Sequence, residues 1–205
     1  PIVERLRDQD NVVIAPDLPL TSLTDDADTV IAALDSLEGA KVLVGHSYGG
    51  LVISRAASGR DDLEHLVYVA AMMLPGEADP LAEAGEHGSE QLMAALEFSD
   101  EGWISFADRD AARAACYALC APKDAEAAVQ KLRPTSVGCM APTGAEPWRE
   151  IESTYVVCGN DGAVRPEAQR SMAASAANVV EIDTDHSPFF STPDRLAQIL
   201  TAAAI

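Results

Sequence analysis

Apolar residues along the chain gather in short runs separated by polar turns. Val12 to Ala15, Lys41 to Val44, Leu66 to Ala71, Tyr155 to Cys158 and Val179 to Ile182 are runs of four to six residues. Runs this short and continuous predict strands buried on both faces, because a half-exposed strand would alternate. Proline cannot donate a ladder hydrogen bond, so Pro16 ends the first of them. Between the runs the period lengthens to that of a helix. Asp25 to Leu37 carries Val30, Ile31, Leu34 and Leu37 as an apolar stripe, with Thr24 as candidate cap and Gly39 as stop. Leu51 to Ala57, Pro166 to Ala177 and Pro193 to Ala204 read as further helices, and Ile2 to Arg7 as a short amphipathic helix tail. Strand alternating with helix predicts an α/β fold, a mostly parallel sheet flanked by helices on both faces.

The pattern changes after Pro75. Ala, Glu and Asp rise, β-branched runs vanish, and helices are predicted over Ser89 to Phe98, Asp108 to Cys120 and Lys123 to Leu132. The expected organisation is thus a first core part, 1–75, a helical cap, 76–147, and a second core part, 148–205, with no strand in the cap.

Charge then narrows the partners. Among 205 residues, 33 acidic side chains against 14 basic give a net charge of −19, which argues against nucleic acid and against an anionic membrane surface. With 48% hydrophobic residues the chain can build a core, and no apolar run is long enough to cross a bilayer. The charged opening PIVERLRDQD has no signal-peptide h-region, so a cytoplasmic location is the expectation. Cys116, Cys120, Cys139 and Cys158 read as free thiols; Cys116 and Cys120, four apart on a predicted helix, lack the companion ligands of a zinc site. Neither a metal nor a cofactor is expected.

The chemistry concentrates in VLVGHSYGG, residues 42–50. A buried strand enters a G-x-S-x-G turn and leaves as a helix, the context in which a serine hydroxyl is raised above a sheet edge on a strained elbow. Gly45 and Gly49 flank Ser47 where absent Cβ atoms would relieve crowding. The Tyr48 N–H, at the positive end of the next helix, is the candidate oxyanion donor. His46 is too close in sequence to serve as base and is expected to orient or pack beside the elbow. GHSYGG has Ser47 in place of the second glycine of G-x-G-x-x-G and has no P-loop lysine, so a nucleotide site is a poor reading.

A serine needs an imidazole base and a carboxylate that holds its tautomer. Asp161 follows the strand 155–158, and His186 follows the strand 179–182. Parallel strands would bring both loops to the edge that carries Ser47, in the chain order Ser, Asp, His. Asp183 and Asp185 are nearer to His186 in sequence but less able to reach its rear nitrogen.

With these residues in hand, the sequence resembles the α/β-hydrolase superfamily, its small-molecule esterase and hydroxynitrile-lyase-like branch. The resemblance rests on APDLP (15–19), GHSYGG (45–50), LVYVAAMMLPGE (66–77), STYVVCGNDGAVRPEAQ (153–169) and DHSPFFSTPDRLA (185–197). It implies Ser47 as nucleophile, Asp161 as acid and His186 as base, with 76–147 as the cap over an acyl pocket. Family members usually start with a strand and a His-Gly loop that supplies a second oxyanion N–H. These precede the helix resembling residues 2–7, so the chain is expected to begin inside its domain. The implied activity is hydrolysis of a small carboxylic ester, lactone or thioester through an acyl-enzyme. A homodimer is compatible with the resemblance.

Candidate pocket walls are His46, Met72, Met73, Trp103, Phe106, Met140, Trp148, Phe189 and Phe190; core packing is an equal expectation for the Met and aromatic positions among them. Two rival readings remain. A hydroxynitrile-lyase-like enzyme would need a cation in the cap, from Arg109, Arg113, Lys123, Lys131 or Arg133. A noncatalytic ligand-binding homologue would keep the triad as pocket structure.

Overall fold

A computed structural model describes residues 1–204. Helix α1 (Ile2–Arg7) is followed by α2 (Leu23–Asp35), β1 (Lys41–His46), α3 (Gly49–Ala56) and β2 (Leu63–Val69). After an excursion, β6 (Glu152–Cys158), α8 (Pro166–Ala173), β7 (Asn178–Ile182), α9 (Pro188–Ser191) and α10 (Pro193–Ala202) complete the chain. The strands form one parallel sheet in the order β1-β2-β6-β7.

Both faces of the sheet are covered, which is why its central strands read as unbroken apolar runs. Along β2, Leu66 and Tyr68 point into one core with α2 and α3, and Val67 and Val69 point into the other with α10. The same alternation divides Tyr155 and Val157 from Val156 on β6. Helix α1 joins the second face through Ile2 and Leu6. All these central-strand side chains are essentially inaccessible, and each Leu or Val among them contributes about 1.5–3 kcal/mol by burial.

Four expectations from the pattern are corrected. Val12 to Ala15 forms no strand: it has no ladder partner among the described residues, and Val12 is 79% exposed. Apolar character alone does not make a strand without a hydrogen-bonding neighbour. The cap of α2 is Ser22, extended at φ −158°, whose hydroxyl accepts from the Asp25 N–H at 3.1 Å; Thr24 lies in the first turn. Cys116 and Cys120 do not share a helix, because the helix ends at Cys116.

The fourth concerns the excursion, which is not wholly helical. Its helix α4 (Pro80–His87) was not expected, and α5 (Glu90–Ala95), α6 (Arg109–Cys116) and α7 (Pro122–Val129) are shorter than the pattern suggests. Between them β3 (Leu96–Phe98), β4 (Trp103–Phe106) and β5 (Thr135–Ser136) form a small antiparallel sheet. The β3–β4 reversal closes at Gly102, φ 81°, with the Ser99 N–H donating to the Trp103 carbonyl. The excursion is fastened at the loop after β6. Ser89 donates through its N–H to the Ala163 carbonyl and through its hydroxyl to that of Gly162, at 2.8 and 2.6 Å. No helix among the described residues is long and apolar enough to cross a membrane.

Candidate active site

Ser47, Asp161 and His186 all follow the carboxyl ends of sheet strands, β1, β6 and β7 respectively. Ser47 has φ 53°, a left-handed conformation unusual for a residue with a Cβ. Packing holds it there. The Ser47 N–H donates to the Val69 carbonyl at 3.2 Å, and the Ser47 carbonyl accepts from Gly50 and Met72 N–H groups, both at 3.0 Å. A Cβ on Gly45 would lie 2.5 Å from the Gly49 carbonyl oxygen, and one on Gly50 would lie 2.5 Å from that of Met72. Gly50 thus lets α3 start directly against the end of β2. Gly49, expected to relieve crowding, faces open space instead; the tight contact is one residue later.

On the other side, His186 is 5% exposed, and its Nδ1–H donates to Asp161 Oδ2 at 2.7 Å. A carboxylate only accepts, so Nδ1 carries a proton, and the tautomer that results in the neutral ring has Nε2 as its acceptor. Asp161 is itself held by four donors. Oδ1 accepts from the Ala163 and Val164 N–H groups at 2.7 and 2.9 Å, and Oδ2 also accepts from Gln169 Nε2 at 2.7 Å. Gln169 is completely buried and accepts the Cys158 N–H at 2.9 Å, which locks the acid loop to β6. The role of Gln169 was not read from the sequence. The available signal was an uncharged polar residue on the buried face of α8, beside Ala168, Met172 and Ala173.

Asp183 and Asp185 turn elsewhere. Asp183 pairs with Asn160. Asp185, fully buried, accepts from the Leu119, Ser187 and Ser191 donors at 2.8, 3.1 and 2.8 Å and from Cys120 Sγ at 3.4 Å. It therefore clips the base loop to the turn after α6.

His46 lies between the two halves. Its Nε2 is 2.7 Å from the His186 carbonyl oxygen, so Nε2 carries a proton and donates. Its ring is tilted against His186 at 4.6 Å and edge-on to Phe189 at 5.0 Å. Burial, reinforced by His186, lowers its pKa to about 3, so His46 is neutral at ordinary pH. The cysteines are no rival nucleophiles: burial pushes the Cys116 and Cys120 thiols up to about 12 and Cys139 to about 11, and raises Cys158 as well.

The candidate wall residues separate. Phe189 packs on His46, Phe190 on Phe189 and Tyr117, and the Met72 N–H holds Ser47. Met73 and Trp148 are buried in the main core, Trp148 edge-on to Tyr68, and Met140 packs against it. Phe106 joins a small cluster with Ala115, Cys116 and Ala163, and Trp103 is 39% exposed on β4. Two surface clefts, of about 230 and 460 Å³, include neither Ser47 nor His186.

A parallel sheet with a serine elbow and a buried Asp–His pair at its carboxyl edge is the architecture of an α/β hydrolase. The sequence pattern of the alpha/beta hydrolase family matches residues 2–199. The chain belongs to that family. It is 35% identical to the alpha/beta hydrolase nvfD of Aspergillus novofumigatus over 176 residues, 80% of this chain and 69% of that one. It is 29% identical to methylesterase 1 of Arabidopsis thaliana over 173 residues, 76% of this chain and 66% of the relative. In fold it is similar to a pyrethroid hydrolase from Sphingobium faniae JZ-2, with a TM-score of 0.87 at 23% identity over 99% of this chain and 90% of that one.

Proposed function

We propose that this chain is a serine hydrolase that cleaves a small carboxylic ester, lactone or thioester through an acyl-enzyme. The observation that carries the reading is the buried Asp161–His186 hydrogen bond at the same sheet edge as the strained Ser47. Kinship with methylesterases favours ester substrates.

In this mechanism His186 Nε2 takes the Ser47 Oγ proton as Oγ bonds to the substrate carbonyl carbon. The carbonyl oxygen becomes negative and receives the Tyr48 N–H, which makes no hydrogen bond among the described residues. The intermediate collapses, the leaving alkoxide or thiolate takes the proton from His186, and Ser47 remains acylated. Water then attacks the acyl carbon, giving its proton to Nε2; Oγ leaves and recovers that proton, and the acid is released. Asp161 stabilises the transient imidazolium at Nδ1. Segment 76–147 acts as a cap, with Phe189 and Phe190 as apolar wall beside His46.

Of the cap's five candidate cations, Arg133 pairs with Asp17 at 2.9 Å and Arg113 with Asp110 at 3.1 Å, which leaves Arg109, Lys123 and Lys131 for the cyanide-binding alternative. The test is labelling with a serine-reactive phosphonate alongside an ester assay. Wild type is expected to take up one label and hydrolyse p-nitrophenyl acetate, and Ser47→Ala to do neither. An unlabelled wild type that hydrolyses no ester overturns the reading.

A further inference from the structure

The apolar stripe of α2 is interrupted by a carboxylate. Leu23, Ala27, Val30 and Leu34 face the core, and Asp26, four residues before Val30, is as fully buried as they are. A buried carboxylate costs several kcal/mol unless donors surround it. Asp26 has three, from three separate segments. Oδ1 accepts the Leu20 N–H at 2.8 Å; Oδ2 accepts the Tyr48 hydroxyl at 2.7 Å and the Cys139 thiol at 3.6 Å. Leu20 itself has φ 61°, and its carbonyl accepts the Ser136 N–H at 2.9 Å, which ties the loop before α2 to β5.

Tyr48 is the residue whose N–H faces the developing oxyanion in the serine-hydrolase reading. Its backbone immediately follows the strained Ser47, and any relaxation of that strain through the Ser47–Tyr48 peptide would swing the N–H away. Resting on that reading, we propose that Asp26 is a positioning residue for the oxyanion donor: by gripping the Tyr48 phenol at its far end, it fixes the peptide N–H at the other. Both side-chain donors to Oδ2 remain protonated at neutral pH. Burial, then the bond to Asp26, raises the Tyr48 phenol well above its usual range, and burial holds the Cys139 thiol near 11.

A misaimed oxyanion donor weakens the transition state more than the bound substrate, so its signature is a fall in kcat with KM held. The experiment compares wild type, Tyr48→Phe and Asp26→Asn in p-nitrophenyl acetate kinetics, inhibition by a trifluoromethyl ketone, and amide hydrogen exchange. For Tyr48→Phe we expect kcat to fall about 10- to 100-fold, KM to stay within about twofold, and inhibitor affinity to weaken in parallel with kcat. Exchange should accelerate about tenfold at the Ser47, Gly50 and Met72 amides and remain unchanged in β2 and β6. Asp26→Asn, which retains one acceptor oxygen, should show the same pattern at smaller amplitude.

Wild-type kcat and wild-type elbow exchange in both variants would overturn the proposal. So would a loss of activity that merely tracks a lower melting temperature with exchange raised throughout the molecule, since that marks packing alone. If wild type neither hydrolyses the ester nor takes up the phosphonate, the hydrolase reading fails. The phenol anchor then stands or falls on exchange: local acceleration at the elbow supports it, and its absence removes it.

Discussion

The two halves of the candidate site are held by opposite means. At Asp161 and His186, polar atoms meet polar atoms: four donors surround the carboxylate, one of them the imidazole, and both side chains are buried. At Ser47 the hydroxyl makes no hydrogen bond among the described residues, and the backbone is held by its own hydrogen bonds and by the close approach of Gly45 and Gly50 to neighbouring peptides. In the proposed hydrolase the Asp161–His186 half needs directional bonds, because a rotated imidazole would present the wrong nitrogen. In that same proposal the Ser47 half needs a rigid backbone and a free side chain, since a hydroxyl committed elsewhere would have to break that bond before attacking.

Each half can be broken in its own currency. The largest effect is expected from Asp161→Asn, which reverses the donor–acceptor sense at His186 Nδ1; kcat should fall about 10⁴-fold, by analogy with the same change in serine proteases, and the melting temperature should drop as well, because the new amide also faces the buried Gln169 Nε2 donor. Steady-state kinetics with a matched melting curve checks this, and a loss under tenfold would mean that the pair is structural. Next, Gly45→Ala places a methyl 2.5 Å from a backbone oxygen, so the elbow must move. We expect about 2–4 kcal/mol of destabilisation in urea unfolding. Gly49→Ala, which faces open space, is expected to stay within about 0.5 kcal/mol; equal costs at 45 and 49 would refute the assignment of the crowding.

His46 links the halves and gives an effect that appears only as the pH falls. Its pKa is lowered from the ordinary 6.5 to about 3 in the folded chain. Between those values the unfolded chain binds more protons, so this group's stabilisation is complete above about pH 6.5 and is lost as pH falls toward 3. His46→Gln keeps a donor for the His186 carbonyl and removes the titration. Urea unfolding from pH 7 to 4 should therefore show a slope shallower than wild type by up to about 1.4 kcal/mol per pH unit. Identical slopes would contradict a neutral, enclosed His46.

The central strands were legible because both faces of the sheet are buried and polar turns bound them. The excursion was read less well. EQLMAALEF looks helical throughout, yet Leu96 to Phe98 is drawn into a strand by Trp103 to Phe106 across a glycine turn. Pairing with a partner overrides helical propensity in segments this short. The same rule acts in reverse at Val12 to Ala15, where strong strand character goes unrealised without a neighbour. Gln169 and Asp26 left a trace, each a polar residue on an otherwise apolar helix face, but such a trace marks burial without naming the partner.

Local chemistry was written into the sequence: the strand–turn–helix at GHSYGG, the order of serine, aspartate and histidine, and the alternation that makes a parallel sheet. The elbow depends on residues a few positions apart, where backbone geometry leaves few options, and the other two are patterns along the chain that folding does not alter. What Asp183 and Asp185 hold, which glycine is crowded, and what Asp26 grips were decided by tertiary structure. Each depends on groups brought together from distant parts of the chain, and a hydrogen bond or a steric clash is settled by tenths of an ångström that no spacing in sequence specifies.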